Sequence, residues 1–143
     1  MRELPRKLSV DELAALFEGR TRFVERLAEV EDPLGRARRV ARALTDEEKK
    51  EVLDAHPPIG ARGADMSARS AAEQGTDERP ELDELNRIYE ARFGFRFVVF
   101  VNRRPKSELV PILHERLERT REEELETALD ELVSIAIDRW QRS

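Results

Sequence analysis

The chain has no cysteine, which excludes disulfides, thiolate metal sites and a cysteine nucleophile. Only two histidines occur, His56 and His114, far apart in sequence, so a histidine-rich zinc site is not expected. No stretch approaches the roughly 18 apolar residues of a membrane span, so no membrane partner is expected. The opening MRELPRKLSV has no apolar h-region, and the chain ends in Gln141-Arg142-Ser143 instead of a peroxisomal Ser-Lys-Leu. A cytoplasmic protein is the expectation. A basic surplus is also missing: the net charge is −5, against the basic face that phosphate neutralisation requires, so no nucleic-acid partner is expected.

What is present is a charge-rich helical pattern. The 143 residues suffice for one domain, 1–143, around one core. Hydrophobic residues make up 39% and charged residues 40%, a balance that suits a small helical protein laced with surface ion pairs. Of the 26 basic residues only Lys7, Lys49, Lys50 and Lys106 are lysine; the rest are arginine, the better fork for a carboxylate.

Helix starts are marked by a Ser or Thr followed three residues later by Glu, the reciprocal capping box. Ser9 with Glu12 opens a segment carrying Leu13, Leu16 and Phe17. Thr45 with Glu48 opens another, with Val52 and Leu53, which Pro57 must stop. Ser70 with Glu73 marks a short helix, and Thr120 with Glu123 opens the last. Pro80 suits the first turn of a helix with Leu82, Leu85, Ile88, Tyr89 and Phe93. Residues 20–30, 34–44 and 107–119 are periodic enough for three more. Two stretches break the pattern. Residues 56–69 hold paired prolines and two glycines and read as a loop. Residues 94–102, GFRFVVFVN, resemble a strand, yet nothing else in the chain could pair with one, so a buried helix or an extended packed segment is expected.

Three places could carry chemistry. His56 continues the Val52–Leu53 stripe at a helix C-terminus, where the dipole favours its charged form and is expected to raise its pKa. It could then donate a proton near neutral pH, or simply cap the helix. The turn Ser70-Ala71-Ala72-Glu73-Gln74 is a capping box as structure; as chemistry it offers a hydroxyl, a carboxylate and an amide to a polar heterocycle. Arg139 falls inside the apolar arc of the last helix, among Leu125, Ala128, Leu129, Leu132, Val133, Ile135, Ala136, Ile137 and Trp140. A buried guanidinium needs a carboxylate, either a protein acid or a bound anion. His114, Arg62, Arg69, Arg103 and Arg104 are expected to face solvent.

Four motifs in order resemble one family: His56-Pro57-x-Ile59-Gly60, Ser70-x-x-Glu73-Gln74, Leu85-Asn86-x-x-Tyr89-x-x-Arg92-Phe93-Gly94-Phe95-x-Phe97, and Ile135-Ala136-x-x-Arg139. Together they are similar to the decarboxylases of 2-oxo-4-hydroxy-4-carboxy-5-ureidoimidazoline (OHCU). The resemblance implies an all-α, single compact multi-helix domain that releases CO2 from OHCU to give (S)-allantoin in urate degradation, with no metal or organic cofactor. It implies His56 as the catalytic acid and Glu73 as the second catalytic residue. Pro57, Ser70, Glu73, Gln74, the run Val98, Val99, Phe100, Val101 and Asn102, and Arg139 are implied to bind a small anionic substrate. Arg96 departs from the pattern, standing where the family commonly has proline, and Pro58 stands where a polar residue is usual. A related decarboxylase acting on another ureido or imidazoline acid and a non-catalytic helical interaction module are the competing readings. A homodimer is the prior for the assembly.

Overall fold

The computed structural model describes residues 3–57, 80–102 and 104–143. In chain order the helices are α1 (Val10–Phe17), α2 (Arg22–Leu27), α3 (Pro33–Arg42), α4 (Asp46–Asp54), α5 (Pro80–Phe93), α6 (Lys106–Leu117) and α7 (Arg121–Arg142). No strand occurs among the described residues. The three capping boxes form as their spacing requires: Ser9, Thr45 and Thr120 each accept from the backbone N–H of Glu12, Glu48 and Glu123, whose carboxylates reach back to the cap N–H. The Ser70 box lies outside the described residues.

Long α7 is the spine. It packs against α1, α3 and α4, while α2 bridges α1, α3 and α4, and α5 pairs with α6. Its buried stripe is Leu125, Ala128, Leu129, Leu132, Val133, Ile135 and Ala136, the arc that the periodicity predicts, with Ile137 and Trp140 at its partly covered edge. Facing it are Leu13, Leu16 and Phe17 of α1, Leu34, Ala37 and Ala41 of α3, and Val52 and Leu53 of α4. Fully burying each such leucine or phenylalanine contributes about 1.5–3 kcal/mol. Polar ties fix the order of the short helices: Glu51 of α4 accepts from the first N–H of α2 at Arg22 (2.9 Å), and Glu48 pairs with Arg26 (2.7 Å).

The segment 94–102 resolves the choice left open by its sequence. It is extended and packed, not helical. Gly94 ends α5 with φ 83°, a conformation glycine adopts without penalty, and donates to the Glu90 carbonyl at 2.9 Å. Beyond it Phe95, Phe97, Val98, Val99 and Val101 are buried. Rings do the packing: Tyr89 has centroids 4.7 Å from Phe93, 5.9 Å from Phe95 and 5.1 Å from Phe97. Side chains take the place of a neighbouring strand. Arg116 Nη1 donates to the Val98 carbonyl (2.9 Å), Arg104 to those of Phe100 and Val101 (2.5 and 3.0 Å), and Glu131 accepts the Phe100 N–H (3.2 Å). Ile88 is the one expected core residue of α5 that faces outward, at 44% exposure.

Candidate active site

The end of α4 delivers His56. Ala55 closes the helix, and the His56 N–H still reaches the Leu53 carbonyl at 3.2 Å, so the imidazole is carried on a half-turn beyond the last regular residue. His56 is buried, and Pro57 half-buried. Its Nε2 has no hydrogen-bond partner among the described residues. A buried polar atom left in this way is uncommon and calls for an explanation.

The end of α1 approaches the same place. Glu18 caps α1 in the left-handed region, φ 67° and ψ 21°, unusual for a residue other than glycine. Gly19 follows, and a Cβ built there would stand 3.6 Å from the Ala55 Cβ, so the two helix ends touch. Across from them, Arg139 of α7 donates to the Leu16 carbonyl (3.0 Å) and pairs with Glu18 (2.9 Å), with only 2% of its side chain exposed. The buried arginine has its protein carboxylate.

These charges act on His56. Burial is the main cause that pushes its pKa down, to about 3; the Arg139 and Arg96 guanidinium groups push the same way, and Glu18 opposes them. The dipole argument from sequence is therefore overturned. A helix terminus contributes a fraction of a charge to a partly exposed group, whereas here the ring is desolvated beside full positive charges. His56 is held as a neutral imidazole at neutral pH.

The sequence model of the OHCU decarboxylase family matches residues 2–141. The chain belongs to the OHCU decarboxylase family. It is 30% identical over 125 residues to the 2-oxo-4-hydroxy-4-carboxy-5-ureidoimidazoline decarboxylase of Haloferax volcanii, covering 82% of this chain and 74% of that one. It is 31% identical over 140 residues to a uric acid degradation bifunctional protein of Bacillus subtilis, of whose length it spans 28%. A crystal structure of OHCU decarboxylase in the presence of (S)-allantoin superposes with a TM-score of 0.72 at 25% identity, covering 90% of this chain and 94% of that one.

Of the residues expected in an OHCU decarboxylase site, the structure gathers His56 and Arg139 at the α1–α4–α7 junction, with Pro57 next in the chain. Ser70, Glu73 and Gln74 lie outside the described residues, as do Arg62, Arg69 and Arg103. Val98, Val99 and Val101 turn their side chains into the core, Phe100 is half-buried, and Asn102 is exposed with φ 49°. Only backbone and the segment's outer edge are thus offered to a ligand, and the Phe100 N–H is already committed to Glu131. His114 is exposed as expected, but Arg104 is not a free surface arginine: it is half-buried and clamps the segment's carbonyls.

Two residues at the site, Glu18 and Arg96, were not among those the sequence assigned to it. Glu18 was legible in part, since a Glu-Gly pair after an apolar turn marks a helix stop, but its partner lies more than a hundred residues away. Arg96 sits inside an apolar run and carries no periodic signal.

Proposed function

We propose that this chain decarboxylates OHCU to (S)-allantoin, the activity named for its relatives, with His56 as the group that handles the proton. The observation that carries the reading is the buried, neutral imidazole of His56, its Nε2 without a protein partner among the described residues, beside the anchored guanidinium of Arg139.

OHCU contains its own electron sink. The carbon bearing the carboxylate also bears a hydroxyl and adjoins a ring C=N. As the C–CO2 bond breaks, its electron pair forms a C=C bond to the neighbouring carbon, and the ring nitrogen takes a proton from solvent. The resulting enol then gives up its hydroxyl proton while the ureido-bearing carbon gains one. We assign this relay to His56, which takes the hydroxyl proton and returns it to one face of that carbon. One proton is consumed overall, and CO2 leaves. No cofactor enters the scheme.

Arg139 would hold the anionic carboxylate, as a guanidinium does best in a site shielded from water. The amides of Val98, Val99, Val101 and Asn102 are assigned to the polar edge of the ring. Ser70, Glu73 and Gln74 would take the hydroxyl, the ureido group and the amide edge, with Glu73 as the second catalytic residue. The reading places the enzyme in the cytoplasm, as a homodimer; fractionation and light scattering test those two points. No helix among the described residues is long and apolar enough to cross a membrane.

The deciding experiment generates OHCU freshly from urate with the two upstream activities. Loss of OHCU and the circular dichroism of allantoin are followed with and without the protein. Acceleration with a single enantiomer formed is expected. A rate equal to spontaneous decay would reject the proposal.

A further inference from the structure

Arg96 holds the turn that carries His56. Its backbone N–H donates to Asp54 Oδ1 at 3.0 Å, and its Nη1 donates to the Asp54 carbonyl at 3.3 Å. The same nitrogen donates to the carbonyl of His56 itself. Glu90 of α5 lies 3.6 Å from Nε, and the side chain is only 24% exposed.

The Asp54 carbonyl is one of those that a helix end leaves without an intrahelical donor, and a guanidinium is a good partner for it. An ordinary cap would stop there. Arg96 also grips the peptide that joins His56 to Pro57, which fixes the direction in which the residue leaves the helix. Two residues later the chain enters the 98–102 segment, whose own backbone is pinned by Arg116, Arg104 and Glu131. A single side chain therefore links two parts of the site that the sequence separates by forty residues.

We propose that Arg96 is a positioning residue, which sets the imidazole of His56 against the 98–102 segment by clamping the Asp54 and His56 carbonyls. The proposal deepens the decarboxylase reading and rests on it, since it assigns Arg96 a role through His56.

The charged groups that act on the imidazole are Arg139 from α7, Glu18 from the end of α1, and Arg96 from the extended segment. Asp54 and Glu90 contact Arg96 directly. Burial is the main cause of the neutral imidazole, and removing the Arg96 charge takes away the smaller of the two cationic contributions to it. A helix cap alone would affect stability and leave kcat unchanged.

Arg96→Met and Arg96→Lys in the full chain separate the two roles. The His56 imidazole is titrated by ¹⁵N NMR without substrate, and kcat and KM are measured on fresh OHCU. In Arg96→Met, His56 should protonate at a higher pH than in the wild type. Its kcat should fall about tenfold, with KM moving less than about threefold. Arg96→Lys should keep the wild-type titration and recover part of kcat. A folded Arg96→Met with unchanged kcat and unchanged titration overturns the proposal. If Arg96→Met does not fold, Arg96→Lys decides: a kcat lowered about threefold supports the clamp, and a wild-type kcat overturns it. Should the wild type fail to consume OHCU, the activity reading falls. The NMR titration, which needs no substrate, still judges Arg96: an upward shift supports it and no shift overturns it.

Discussion

Arg139 Nη2 lies 2.9 Å from Glu18 Oε1 while its Nη1 donates to the Leu16 carbonyl, so the last helix is bolted to the end of the first. The two readings of a buried arginine, structural ion pair and ligand clamp, do not exclude each other. A guanidinium carries five N–H donors, and an ion pair that uses some of them also fixes the plane of the rest. Arg139→Ala removes the guanidinium paired with a largely buried Glu18 and should lower stability by about 3–5 kcal/mol in urea denaturation. Arg139→Lys keeps the charge without the fork. It should stay folded and raise KM about tenfold or more, equivalent to losing one charge-assisted hydrogen bond. An unchanged KM in that variant would make Arg139 purely structural.

His56→Asn preserves size and polarity but cannot carry a proton. Turnover should fall about 10²- to 10⁴-fold with the far-UV circular dichroism unchanged. Near-normal turnover would remove His56 from the chemistry and direct attention to Glu73.

The depressed pKa of His56 also makes stability depend on pH. In the unfolded chain the imidazole takes up a proton near pH 6.5, whereas in the fold it stays neutral until about pH 3. Between those values the unfolded state binds more protons, so stability rises with pH and is lost as pH falls, by up to about 1.4 kcal/mol per unit. Above pH 7 the contribution is flat. Urea melts at pH 7, 6 and 5 should show the slope in the wild type and a smaller one in His56→Asn. That window avoids the carboxylates of Glu48 and Glu51, which are held below the usual carboxylate range by backbone hydrogen bonds and titrate in more acidic solution. Identical slopes in both proteins would mean that His56 is not desolvated.

How far the sequence could be read followed the range of the interactions. The Ser9, Thr45 and Thr120 capping boxes and the 3.6-residue stripe of α7 are local, and they formed where the spacing placed them. Arg139 was found because a cation on an apolar arc contradicts its surroundings, and the same wheel puts Glu124 at the edge of that arc. The charge state of His56 was beyond reach. It depends on Arg96, Arg139 and Glu18, which come from three other parts of the chain, and on a depth of burial that the Val52–Leu53 stripe only hints at. Segment 94–102 was readable only as not a paired strand, because what replaces its ladder is a set of arginine and glutamate side chains.

Glu124 is fully buried, and its two carboxylate oxygens hold three groups. Oε1 accepts from the Tyr89 hydroxyl and from Arg116 Nε, both at 2.7 Å, and Oε2 meets Arg119 at 3.0 Å. Burial, with Glu124 adding to it, keeps the Tyr89 hydroxyl protonated far above its ordinary range, so the phenol is a permanent donor. Arg116 stacks over the Phe97 ring, 4.6 Å from its centroid, and donates to Val98. The network thus ties α5, α6 and α7 to the start of the segment assigned to substrate. Tyr89→Phe leaves the carboxylate its two arginines and should cost about 1–2 kcal/mol. Glu124→Ala leaves a buried arginine and a phenol without their acceptor and should cost about 3–5 kcal/mol. Because the phenol's hydrogen bond is already gone in Glu124→Ala, the double variant should be no less stable than Glu124→Ala alone. Additive losses in urea denaturation would mean that the tyrosine hydroxyl stabilises the fold through something other than Glu124. Loosening Arg116 also frees the Val98 carbonyl, so Glu124→Ala should raise KM for OHCU even at a temperature where it remains folded.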